Sequence, residues 1–231
     1  MIYLSGVSNP AAIAAAQSHP LGLMAQPDSG YAQQIGAYPL WAGDNGCFAV
    51  ARKGATFNEV AWRGWMRSLR VHRATCLFMV APDVLHWVAG KPIGDAVATL
   101  ARSAPIMPMI RALGYKAALV AQDGLEDIDP SWWDDIRPDA LFIGGSDMFK
   151  LSWAAMALVR EAKSRNIWCH MGRVNSRERL AKARAMGCDS ADGTHLAFEP
   201  TVHLAKITKT WFTPGEIRHW RATYPAQRKA A

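Results

Sequence analysis

Eight short apolar runs, mostly alternating with helix-forming stretches, constrain this chain more than any other feature. Seven lie at residues 2–5, 21–25, 39–42, 76–81, 117–121, 140–143 and 167–170, and the eighth opens after Gly187. Runs such as 76–81 and 117–121 are nearly continuous in apolar residues, as expected of strands buried on both faces. Between them, Asn9 and Pro10 read as an N-cap and a first-turn proline for an alanine-rich helix to about Gln17. Residues 57–73 space Val60, Trp62, Trp65, Met66 and Leu69 as one amphipathic helix. Helical material over 93–113 is split by Pro105 and Pro108. Residues 132–135 form a short helix, Ser152 caps one running to about Arg165, and Ser176 caps one that Gly187 ends.

Alternating β and α elements imply a parallel sheet. Eight repeats in 231 residues predict an α/β fold, a single compact (β/α)8 TIM-type barrel. The first two runs are the least distinctive, which leaves an open doubly wound sheet as the alternative. No low-complexity stretch or linker divides the chain, so residues 1–231 read as one domain, with a basic helix and tail over about 213–231.

No stretch approaches the roughly eighteen apolar residues of a membrane span, and the start lacks the basic region of a signal peptide. Both point to a cytoplasmic protein with no membrane partner. Cys47, Cys76, Cys169 and Cys188 are scattered, which argues against a structural zinc site or a disulfide framework. No metal and no cofactor is expected. The formal charge of +7, concentrated at 63–73, 163–184 and from Lys206 onward, with ten tryptophans, favours a polyanionic partner. Each basic run taken singly is an ordinary solvated helix face.

Active sites of such barrels lie at the carboxyl ends of the strands. There the chain places Asp44 with Phe48, then Asp83, Gln122, Gly144 and Gly145, Met171 and Gly172, and Asp192. Alone, each has a plain structural explanation: aspartates cap helices, glycine pairs make turns, and methionines fill cores. Together they form an inventory for gripping a planar, hydrogen-bonding base. Such a base needs a carboxylate for its N–H donors, donors for its carbonyl, and apolar walls for its faces.

These segments resemble the tRNA-guanine (queuine/archaeosine) transglycosylase superfamily. Gly43-Asp44-Asn45-Gly46-Cys47-Phe48 resembles its T-D-S-G-G-F/Y loop, Ala81-Pro82-Asp83 its A-F-D-E, and Val120-Ala121-Gln122-Asp123-Gly124 its I-V-Q-G. Ile143-Gly144-Gly145 is similar to its I-G-G, His170-Met171-Gly172 to its L-M-G, and 187–192 to its G-I-D-M-F-D. The six motifs occur in the family's order over about residues 40–195.

The resemblance implies a (β/α)8 barrel that exchanges guanine for a 7-deazaguanine such as preQ0. It implies Asp192 as the nucleophile at the sugar C1′ and Asp44 as the general acid/base. Asp83 would bind the base's N1–H and amino group, Gln122 and the Gly145 N–H its O6, and Phe48 and Met171 its two faces. Gly144 and Gly172 complete the implied binding segments. The family's zinc-ligating cysteines and its P-T-R continuation are missing, Gly193-Thr194-His195-Leu196 standing instead. The chain is therefore more similar to the compact phage-type members acting on DNA, which makes DNA the expected substrate and tRNA the alternative. Two rival classes are a non-catalytic nucleic-acid-binding barrel and a metal-dependent hydrolase using Asp44, His170, Asp192 and His195.

Overall fold

In the computed structural model, which describes residues 1–88, 90–197 and 200–224, every one of the eight apolar runs contributes a strand. In chain order the strands are β1 (Ile2–Ser5), β2 (Leu21–Ala25), β3 (Trp41–Gly43), β4 (Cys76–Val80), β5 (Leu85–Val88), β6 (Lys91–Gly94), β7 (Ala117–Ala121), β8 (Ala140–Ile143), β9 (Trp168–Met171) and β10 (Ser190–Gly193). Eight of these close a parallel barrel in the order β1-β2-β3-β4-β7-β8-β9-β10, and β10 returns to β1 through pairs such as Ile2 with Ser190 and Leu4 with Asp192. Helices or short helical turns connect consecutive barrel strands. The fold is a (β/α)8 barrel of the TIM type. The remaining two strands, β5 and β6, pair antiparallel as a hairpin between β4 and β7.

Successive side chains of a strand point to opposite faces, and this parity sets the whole architecture. Leu4, Met24, Ala42, Phe78, Val80, Ala118, Val120 and Ala140 pack together inside the barrel, with Phe142 and Trp168 against them. Their sequence neighbours Tyr3, Leu23, Trp41, Met79, Leu119, Leu141 and Cys169 join the layer between strands and helices. Continued by one more step, the inward parity carries Ala42 to Asp44, Val120 to Gln122, Phe142 to Gly144, and Ser190 to Asp192.

The helix starts follow their caps. Asn9, Ser152 and Ser176 accept from the backbone N–H three residues on, and Thr213 forms a capping box with Glu216. Gly187, at φ 101°, ends the helix Arg177–Met186 in the left-handed conformation. The expected helix over 57–73 is shorter: Glu59–Ser68 is helical, and Arg70–Thr75 tightens to a 3₁₀ turn that presents the His72 carbonyl to the Trp41 indole N–H at 2.9 Å. The helical span expected from 93 begins only after Asp95, because Ile93 pairs with His86 in the hairpin.

The C-terminal helix Pro214–Thr223 docks through Trp220, whose indole N–H donates to Ala16 O at 2.9 Å, and through an Arg184–Glu216 ion pair at 3.1 Å. Residues 225–231 of the expected basic tail lie outside the described residues. Among the described residues, no helix is long and apolar enough to cross a membrane.

Candidate active site at the carboxyl ends of the strands

A cavity of about 290 Å³ opens at the carboxyl ends of the barrel strands. That is near the lower end of small-ligand pockets, about 300–1,000 Å³. Asp44, Phe48, Asp83, Gln122, Gly144, Gly145, Gly172 and Asp192 all line it. Met171 does not. Parity turns its side chain outward, where it is 1% exposed in the layer beneath the helices, so it is no wall of this cavity. Phe142, two residues before Gly144 and facing inward, supplies an aromatic wall instead.

Asp192 leaves β10 on the same face as Ser190, beside His170 of β9. His170 Nε2 lies 2.9 Å from Asp192 Oδ1, and its Nδ1 lies 2.8 Å from Ser190 Oγ. The Trp168 indole N–H donates to the same hydroxyl at 2.9 Å. An indole only donates, so the arrangement that satisfies every group has Ser190 O–H donating to Nδ1 and the ring proton on Nε2, facing Asp192. His170 is fully buried between Phe78 and Phe142, at ring distances of 5.2 and 4.7 Å. The Arg173 backbone N–H donates to Asp192 Oδ1 at 3.3 Å.

Asp44 sits where β3 ends and is held by the Gly46 N–H at 3.0 Å. Burial pushes its carboxyl up to about 7, the negative charges of Asp192 and Asp83 add to the rise, and the Gly46 N–H opposes it. Asp83 is buried, and burial raises its carboxyl also, against a stabilising bond from the Asn45 amide. Asn45 bridges the two loops: its Nδ2 donates to Ala81 O at 2.8 Å and to Asp83 Oδ1 at 3.0 Å, while its Oδ1 accepts from the Cys47 N–H at 2.8 Å.

Gln122 Nε2 donates to Asp83 Oδ2. One of the two N–H donors of this amide is thus engaged, and Oε1 is buried with no partner among the described residues. Gly94 of the hairpin packs on this amide; a Cβ there would lie 2.1 Å from Oε1. Beside it Gly145, at φ 70°, leaves its N–H without an acceptor among the described residues and gives its carbonyl to Arg173. The Arg173 guanidinium lies over the Phe48 ring, 4.9 Å from its centroid, and Trp87 of the hairpin meets that ring edge-on at 5.8 Å.

No family model matches the chain, and no curated protein matches it. Among solved structures it is similar to one described as "Native KDPGal structure", at 14% identity over 96% of this chain and 95% of that chain with a TM-score of 0.47. It is similar at 13% identity to a cube-shaped protein cage designed by fusing symmetric oligomeric domains, over 96% of this chain and 73% of that one with a TM-score of 0.46. A third is the PaMucR phosphodiesterase in complex with c-di-GMP, at 14% identity over 68% of this chain with a TM-score of 0.43; the chain spans 60% of that protein's length. None of these likenesses bears on what this chain does.

The chemistry therefore rests on the cavity itself. It holds three carboxylates in unlike surroundings, one paired with an imidazole and two raised by burial, together with aromatic walls and a backbone donor. Among the described residues, no three His, Cys, Asp or Glu side chains come together to hold a metal ion. Reading strand ends alone missed Asn45, Phe142 and the coupling of His170 to Asp192. Strand parity is the signal that finds Phe142 and His170, because it puts 142, 170 and 192 on one face.

Proposed function

We propose that the protein exchanges a guanine in nucleic acid, DNA in preference to tRNA, for a 7-deazaguanine through a covalent intermediate on Asp192. The observation that carries this reading is the contrast between Asp192 and Asp44 within one cavity. Asp192 is held as an acceptor by an imidazole, whereas the half-buried Asp44 keeps its proton to about 7. Unlike surroundings of this kind divide two carboxylates into a nucleophile and a proton carrier.

In the first displacement Asp192 attacks the sugar C1′ as the C1′–N9 bond breaks, through an oxocarbenium-like transition state. Asp44, carrying a proton near neutral pH, delivers it to the departing guanine. In the second, Asp44 takes the N9 proton of the incoming 7-deazaguanine, whose nitrogen attacks C1′ and releases Asp192. Atoms and charge balance over the two steps, and no external oxidant or reductant is needed. Asp83 offers acceptors to the N1–H and amino group, and the second Gln122 amide N–H and the Gly145 N–H offer donors to O6. Phe48 and Phe142 supply apolar faces. A base in a duplex must leave the stack to enter, which costs a few kcal/mol that stacking and edge contacts offset.

The experiment is incubation of the purified protein with DNA or tRNA and candidate 7-deazaguanines, followed by mass spectrometry of the nucleosides. Incorporation into DNA that disappears in Asp192→Asn, while nucleic-acid binding persists, is the expected result. Incorporation into tRNA alone overturns the substrate, and full activity of Asp192→Asn overturns the mechanism.

A further inference from the structure

Arg173 combines two features that one structural role does not explain. Its backbone is left-handed, at φ 57°, a conformation that glycine adopts without strain and an arginine does not. Arg137 and Asn166 share that conformation, but Arg137 caps the helix Trp132–Ile136 and Asn166 directly follows the last turn after Trp153–Ser164. Arg173 ends no helix. It lies between β9 and the helix Arg177–Met186, so its side chain rather than its backbone accounts for its presence.

That side chain crosses the cavity. The guanidinium stacks on Phe48, and one of its nitrogens donates to the Gly145 carbonyl. A flat group carrying N–H donors is thus laid on the aromatic wall, against the glycine segment, within the cavity that also holds Asp192. If the cavity is a base pocket, as proposed above, the guanidinium covers part of the slot that a base would fill. A base stacking on Phe48 must displace it.

The displaced group has a partner close by. The sugar attacked by Asp192 brings a phosphodiester on each side. Arg173 is anchored beside that sugar, its own N–H lying 3.3 Å from Asp192 Oδ1. Guanidinium groups match phosphate oxygens in a two-point geometry that a lysine does not reproduce. Arg52, which also lines the cavity, adds positive charge at the same mouth. We propose that Arg173 covers the base slot in the free protein and clamps a phosphate of the substrate strand once a base has entered.

The two roles act in opposite directions on two ligands, which makes them separable. Calorimetric titration of wild type, Arg173→Ala and Arg173→Lys with free 7-deazaguanine and with a guanine-containing single-stranded oligodeoxynucleotide tests them. Arg173→Ala should bind the free base at least threefold more tightly, because the slot is uncovered. It should bind the oligonucleotide at least tenfold more weakly, with the salt slope reduced by about one. Arg173→Lys should not restore oligonucleotide binding. Arg173→Gly, free of the backbone strain, should melt above wild type and bind as Arg173→Ala does, which separates folding from binding. Equal weakening for both ligands, or unchanged oligonucleotide binding, overturns the proposal while leaving the base pocket standing. If 7-deazaguanine binds none of the proteins at millimolar concentration, the base pocket itself is overturned and the proposal with it.

Discussion

His170 Nε2 lies 2.9 Å from Asp192 Oδ1, and the same ring is held on its far side by Ser190, which Trp168 holds in turn. The chain of donors runs from indole to hydroxyl to imidazole to carboxylate and ends on the atom proposed to attack. His170 is therefore a positioning residue that fixes the orientation of Asp192. A misplacement of about 1 Å at a reacting group costs on the order of 10²-fold in rate. His170→Ala is expected to lower single-turnover base exchange by about that factor, and His170→Asn by less. Nitrogen NMR of the wild type should report the Nε2–H tautomer; the Nδ1–H form, or a folded His170→Ala of normal rate, sinks the assignment.

The raised carboxyl of Asp44 gives the reaction a pH signature. In the proposed reaction, release of guanine needs the protonated acid, so its single-turnover rate should fall as pH rises through about 7. A rate that keeps rising through that range removes Asp44 from the acid role.

The same group acts on stability, with a definite sign. The unfolded aspartate titrates near its ordinary 3.8, whereas the folded one holds its proton to about 7. Between those values the native state binds more protons, so its stability declines as pH rises, and the decline is complete above about 7. Asp44→Asn is expected to melt above wild type at pH 8, with the difference closing toward pH 4. Calorimetric melts across that range, with no such convergence, would contradict the assignment.

Gly145 admits no side chain. A Cβ there would lie 2.4 Å from Asp123 Oδ2 and 2.9 Å from Phe149 Cδ1, in a backbone already at φ 70°. Asp123 also accepts the Ser146 N–H at 2.7 Å, so the clash would spread to the start of the next helix. Gly145→Ala is expected to cost about 1–3 kcal/mol in denaturant unfolding and to weaken 7-deazaguanine binding. Unchanged values for both would rule out the backbone donor role.

Trp220 is 2% exposed and ties the last described helix to the first through Ala16 O. Trp220→Ala should cost about 3–5 kcal/mol, read by urea unfolding. The site lies elsewhere, so any folded fraction should retain its exchange rate per molecule.

Much of this fold was legible because its signals are local. The apolar runs, the caps at Asn9, Ser152 and Ser176, and the stop at Gly187 each act within a few residues. The hairpin β5–β6 was not legible: Pro92, Gly90 and Gly94 interrupt its alternation, and Gly94 is there because the Gln122 amide occupies the space a side chain would take. The helix Pro200–Thr210 was likewise not anticipated. Met171 illustrates the opposite failure. Its place in a motif pointed it at the cavity, yet the pleat that turns His170 inward turns Met171 outward. The proton affinity of Asp44 had no local signal at all, since it arises from burial and from charges on two other strand ends.

The closure of β1 on β10 has a consequence in time as well as space. Leu4 and Asp192 are register partners at opposite ends of the sequence, and the carboxylate proposed to react is carried by the last barrel strand in chain order. Pairings between such distant segments form late and slowly. A chain still being made has its acid, its aromatic wall and its glycine turns before it has a nucleophile. On the proposed mechanism, reactivity arrives only when the ring is complete, because a chain that stops short of residue 192 carries no nucleophile.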